Sequence, residues 1–175
     1  MPATAERRSF LTKAWAVFLG AFAVLVPTAS GLTVFFDPLR RKAGEDALIP
    51  VAPLDALPDD GIPRQFPVVA DRVDAWNRSR EPIGAVYLRR ESGKDNVECL
   101  TATCPHAGCF VNYDAESNTF KCPCHNSSFT VDGAIIEPSP SPRPMDSLEC
   151  KLAGQEVLVK FQSFYSGTTE KVAKG

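Results

Sequence analysis

The chain has 175 residues, a formal net charge of −2 and six cysteines, with 44% hydrophobic residues. This length holds one ordinary domain plus an added segment, and the charge gives no reason to expect nucleic acid as a partner. Six cysteines are too few for a disulfide scaffold of this size, and four of them fall between Cys104 and Cys124, which points to a cofactor site instead.

Near the N-terminus, Arg7-Arg8-Ser9-Phe10-Leu11-Thr12-Lys13 precedes an uncharged run from Ala14 to Phe36. Paired arginines before an apolar run resemble a twin-arginine export signal. As a helix the run reaches roughly 34 Å, enough to cross a hydrocarbon core of about 30 Å. Thr28-Ala29-Ser30-Gly31 is a weak cleavage site, and Leu32, Val34, Phe35 and Phe36 continue the run past it. The expectation is an uncleaved anchor over 14–36 with a cytoplasmic tail over 1–13. The rest of the chain then lies across the membrane, in a bacterium on the periplasmic side of the inner membrane.

From 37 to 60 no period is sustained, and Pro50, Pro53 and Pro58 forbid a helix interior. This stretch reads as a flexible, proline-rich tether. Beyond it, Phe66–Ala70, Gly84–Arg89, Val97–Ala102 and Glu156–Phe161 have the composition of short strands. Asp132-Gly133 signals a hairpin between Phe129-Thr130-Val131 and Ala134-Ile135-Ile136, and the polar run 114–118 a second turn. The head, 61–175, is therefore expected to be all-β and mostly antiparallel.

Inside it stand two boxes, Cys104-x-His106-x-x-Cys109 and Cys122-x-Cys124-His125. Thiolates and imidazoles are ligands for zinc, copper and iron–sulfur clusters. One tetrahedral zinc would use Cys104, His106, Cys122 and His125 and leave Cys109 and Cys124 without a role. A two-iron cluster uses the same four differently, two cysteines on one iron and two histidines on the other.

Cys104-Pro105-His106-Ala107-Gly108-Cys109 and Cys122-Pro123-Cys124-His125-Asn126-Ser127 resemble the two boxes of Rieske iron–sulfur proteins. The resemblance implies one 2Fe-2S cluster on Cys104, His106, Cys122 and His125, with a Cys109–Cys124 disulfide tying the ligand loops. It also implies an inserted cluster-binding subdomain and a proline loop, here Pro140-Ser141-Pro142, covering the cluster. In quinol-oxidising members the second-box histidine, here His125, receives the quinol proton, and His106 is the other exposed ligand. Such a subunit works with cytochrome b and passes electrons to a cytochrome c by movement of the head.

Mixed ligation makes the oxidised cluster neutral, which raises its potential above that of four-thiolate ferredoxins. High-potential members add hydrogen bonds from a Ser and a Tyr of the second box. Ser127 matches the first, but Phe129 stands in place of the Tyr, so a lower potential and a lower-potential quinol are expected. Ala107, Asn126 and Ser139 replace a bulky apolar residue, a Gly and a Gly of the family pattern. Two other classes compete with this reading. One is the small subunit of an exported arsenite-oxidase-type molybdenum enzyme; the other is a soluble ferredoxin-like carrier or zinc-stabilised module. Cys99 and Cys150 read as buried thiols or as a second disulfide, while Trp76, Tyr87 and Phe161 read as packing residues.

Overall fold

The computed structural model describes residues 3–40, 47–73, 78–91, 93 and 96–174, and the chain divides into two units, 1–44 and 45–175. The first unit contains helix α1, Ala3–Arg40. Its segment Ser9–Asp37, with mean hydropathy 1.9, is long and apolar enough to cross a membrane by length and composition. Its hydroxyls are satisfied inside the helix: Thr28 Oγ1 donates to Val24 O at 2.7 Å and Ser30 Oγ to Val26 O at 2.8 Å. That back-bonding suits a medium without water to hydrogen-bond them. Arg7 and Arg8 fall in the first turns, and their side chains lie outside the described residues, as does Trp76.

Among its described residues, the second unit forms three antiparallel sheets. β1 (Leu48–Pro53), β10 (Glu156–Lys160) and β9 (Cys150–Ala153) form one, in the order β1-β10-β9. β2 (Arg64–Val73), β3 (Arg78–Arg90) and β4 (Val97–Thr101) form the second. β5 (Asn112–Asp114), β6 (Thr119–Lys121), β7 (Ser128–Thr130) and β8 (Ile135–Ile136) form the third. The third sheet is inserted between β4 and β9, as the all-β reading with an inserted subdomain expects. Both turns are where composition places them. Gly133, at φ 87°, donates to Thr130 O at 2.8 Å, and Asp114 Oδ1 accepts from Glu116 N at 3.1 Å.

The tether is shorter than the sequence reading drew it. Leu48–Pro53 is not linker but strand β1, paired with β10 from Leu48↔Lys160 to Pro53↔Glu156, and Leu57 is fully buried. Prolines are tolerated there because β1 lies at the sheet edge, where one side of the strand needs no donors, and the register shifts between Pro50 and Ala52. Any tether between anchor and head therefore falls before Leu48; residues 41–46 lie outside the described residues.

Strand β3 separates two cores by its period of two. Val86 and Leu88 point into a core with Leu57, Val68, Val97, Cys99, Val157 and Val159. Tyr87, between them, points into a second core with Ala102, Val111, Phe120, Phe129 and Met145. Tyr87 Oη donates to Val111 O at 3.0 Å and accepts from Tyr113 N at 3.2 Å, so the buried hydroxyl is fully used. Burial also pushes its pKa up. Tyr87 is thus a packing residue that ties β3 to the inserted sheet. Phe161 packs as well: its ring closes over Gly84, where an added Cβ would lie 2.3 Å from Cζ. Cys99 and Cys150 are free thiols. Cys150 Sγ donates to Val97 O at 2.7 Å, and burial pushes its pKa up to about 11 and that of Cys99 higher still.

Candidate metal centre

The first box lies on the loop from β4 to β5, the second on the loop from β6 to β7. The two loops close by one hydrogen-bond scheme. In the first, Cys104 N donates to Cys109 O at 2.7 Å and Gly108 N to Cys104 O at 2.9 Å. In the second, Cys122 N donates to Ser127 O at 2.8 Å and Asn126 N to Cys122 O at 3.1 Å. Each loop thus turns back on its first cysteine, with a left-handed residue four places on: Gly108 at φ 82° and Asn126 at φ 59°. This explains why Asn is accepted in the second loop, since Asn visits that region more readily than other side-chain-bearing residues.

The same scheme sorts the site residues. Cys104 and Cys122 are buried free thiols, 0% and 2% exposed. Burial pushes the Cys104 thiol up, an uncharged state that bound iron would reverse. The rings of His106 and His125 stand edge to face, 4.8 Å between centroids. His106 is half-buried and His125 exposed. Cys109 and Cys124 are joined by a disulfide across the two loops, Cα to Cα 6.6 Å. Their sulfurs lie within 4.8 Å of Cys122 Sγ, but two of these three are spent on the disulfide and cannot be thiolate ligands.

Two atoms test whether the donor set fits a cluster. His106 Nδ1 is buried without a hydrogen-bond partner, and Ser127 Oγ is buried with only the Cys104 thiol in reach. Leaving such groups unpaired costs about 1–3 kcal/mol each, so a native site normally fills them. A metal on Nδ1 and a sulfur acceptor for the hydroxyl do so, and two buried thiols complete the set. The residues fit the cluster.

The other expected residues are less closely drawn together. In the proline loop Pro140 is exposed, Pro142 half-buried and Ser141 buried, with its hydroxyl donating to Arg143 O at 2.8 Å. Phe129 is fully buried in one core with Tyr87 and Phe120 and brings no hydroxyl. Sequence reasoning missed Arg143, only 6% exposed, and the segment after β10 that it grips. The signal available was a single arginine within a proline-rich run, indistinguishable there from a surface residue.

Comparison with known proteins decides the family. Residues 48–159 match the model of the Rieske [2Fe-2S] domain. The chain belongs to the Rieske family. Its Rieske domain binds a 2Fe-2S cluster. The match begins at β1, in agreement with the head starting at Leu48. The chain is 31% identical over 117 residues to the menaquinol:cytochrome c reductase iron-sulfur subunit of Geobacillus thermodenitrificans, covering 65% of this chain and 67% of that protein. It is 30% identical over 116 residues to the subunit of that name in Bacillus subtilis, covering 65% and 66%. The cytochrome b6-f complex iron-sulfur subunit of Chlorobaculum tepidum is 33% identical over 155 residues, covering 88% and 75%.

Proposed function

We propose that this Rieske protein is the membrane-anchored electron-transfer subunit of a quinol–cytochrome c reductase. Cys104 and Cys122 would hold one iron of the cluster and His106 and His125 the other. The observation that carries the reading is the inequality of the two histidines: His125 is exposed at the clamped tip, while His106 is half-buried. The cluster, when bound, supplies a one-electron acceptor of raised potential. With one ring nitrogen on iron, the other would act as acceptor once it has shed its own proton. The exposed ring of His125 could then take a hydrogen bond, and the proton, from a quinol hydroxyl. Ser127 Oγ holds a hydrogen bond to sulfur, and Pro140-Ser141-Pro142 shields the site from water.

Support for the partners comes from the relatives, whose names pair quinol with cytochrome c, and from α1, a helix able to span the membrane. The assembly then contains a cytochrome b-type subunit as quinol site and a cytochrome c as acceptor. The helix spans the inner membrane once, with the head on the periplasmic side after export on the Arg7-Arg8 signal. Movement of the head between the two partners depends on the stretch before Leu48. Gentle detergent purification through this chain is expected to bring down haem b and haem c polypeptides, and a quinone analogue to shift the Rieske electron-resonance signal. Recovery of a molybdenum protein instead would identify the subunit as part of an arsenite-oxidase-type enzyme.

The potential follows from the second box. Ser127 supplies one donor, and Phe129 supplies none, which suits a lower-potential quinol. Ser127→Ala should lower the potential by about 60 mV, the equivalent of one hydrogen bond of roughly 1.4 kcal/mol in a one-electron couple. A redox titration showing no shift would remove Ser127 from the cluster's shell.

A further inference from the structure

The chain after β10, residues 161–174, crosses the first cluster loop as a strap. Gly167 N donates to Pro105 O at 2.8 Å, next to the ligand His106. A Cβ on Gly167 would lie 3.6 Å from His106 O, and one on Gly108 3.3 Å from Ser166 Oγ. The strap folds on itself through Tyr165 N to Val172 O at 2.9 Å and Lys174 N to Ser163 O at 2.8 Å. Its apolar attachment is at its start, where Phe161 packs against the first core; farther on, Tyr165 and Val172 are 52% and 44% exposed. A cavity of about 230 Å³ separates part of it from the loop, lined by Cys104, Pro105, Gly108, Asp146, Ser166 and Lys174 among others. Beyond Phe161, hydrogen bonds of Arg143 and of the backbone fasten it.

The main fastening is Arg143, which follows the proline loop. Its Nε and Nη2 form a two-point pair with Asp146 Oδ1 and Oδ2 at 3.0 and 2.8 Å. Asp146 is 5% exposed and its own carbonyl accepts from Thr101 N at 2.8 Å, so the pair is tied to β4. The remaining guanidinium hydrogens reach the strap: Nη1 donates to Thr168 O at 2.6 Å and to Thr168 Oγ1 at 3.0 Å, and Nη2 to Tyr165 O at 2.9 Å. A buried charge with this many partners is strongly destabilising to remove piecemeal, because each partner is left unpaired. The planar fork serves carboxylate and carbonyls at once, which a lysine ammonium cannot.

We infer that Arg143 is a positioning residue for the cluster: it holds the 161–174 strap, and the strap holds the first ligand loop. Among the described residues, the strap's hydrogen bonds do not reach the second loop, so the dependence is one-sided. Arg143 anchors His106's loop and leaves His125's loop to the disulfide and its own closure. This rests on reading the two boxes as the cluster's ligands.

The twin closure of the loops provides an internal control. In the full chain in detergent, Arg143→Gln should speed hydrogen exchange at the Gly167 and Gly108 amides by about tenfold to a hundredfold, the scale of hydrogen bonds to a charged group. The Asn126 amide, in the equivalent place of the second loop, should change less than about threefold, within the scatter of such contributions. The reduced cluster's electron-resonance signal should broaden, and Arg143→Lys should restore it in part. Thr168→Val, which removes one acceptor and keeps the Arg143–Asp146 pair, should show the same pattern more weakly if Arg143→Gln does not fold. Equal acceleration at Gly108 and Asn126, or an unmoved Gly108 and signal beside a freed Gly167, would overturn the inference. Absence of a Rieske signal in the unmodified protein would instead overturn the ligand assignment and leave the exchange pattern to be read separately.

Discussion

Cys122→Ala is expected to abolish the cluster. Cys122 Sγ is a buried free thiol on the tip loop beside the clamp. Loss of an outer partner of a metal ligand already costs about 10–100-fold in affinity, and loss of a ligand costs more. Bound iron and the visible absorbance should therefore fall by well over tenfold, with no Rieske signal. Cys99→Ala is the control. It too removes a buried thiol, from the core beneath β4, but it should retain iron and spectrum. Metal analysis makes the comparison sharp, because a zinc site on the same four residues would give zinc in place of iron in the unmodified protein. Iron retained by Cys122→Ala would refute the ligand set.

The second large effect is on stability. Changing Cys109 and Cys124 together to alanine opens a loop between residues 15 apart in sequence. Closing a loop of about that length constrains the unfolded chain by about 3 kcal/mol. For a domain of this size the loss should lower the melting temperature by roughly 10 °C. Thermal unfolding followed by far-ultraviolet dichroism of the double variant and the oxidised protein measures it. The effect should reappear when the unmodified protein is unfolded under a strong thiol reductant. Equal melting temperatures would mean that the loops are held by the cluster and their backbone bonds alone.

How much of this was legible in the sequence depended on what each residue had to announce. The two boxes announce themselves, because few residue types bind iron and their spacing is set by a short loop. Asn126 could be read as a tolerated left-handed residue, and its φ of 59° bears that out. Strands β2, β3, β4 and β10 showed through β-branched runs, and the turns at 114–118 and 132–133 through their polar and glycine residues. β1 did not show. Its prolines count against a strand everywhere except at a sheet edge, and edge position is a tertiary fact. The strap was invisible for a related reason. It has little apolar period, and its fastening is an arginine that statistics place on the surface until an Asp three residues on and two distant carbonyls surround it.

The equivalence of the two loops has a consequence for the order in which the protein matures. Each loop closes on its own first cysteine through a matching pair of backbone hydrogen bonds. The thiols of Cys104 and Cys122 are buried, and the disulfide stitches the loops together directly beside one of them. A cluster entering after that stitch would have to part a covalently closed tip to reach Cys104 and Cys122. One entering before it meets two loops free to separate. Cluster first, disulfide second is the sequence of events this geometry favours.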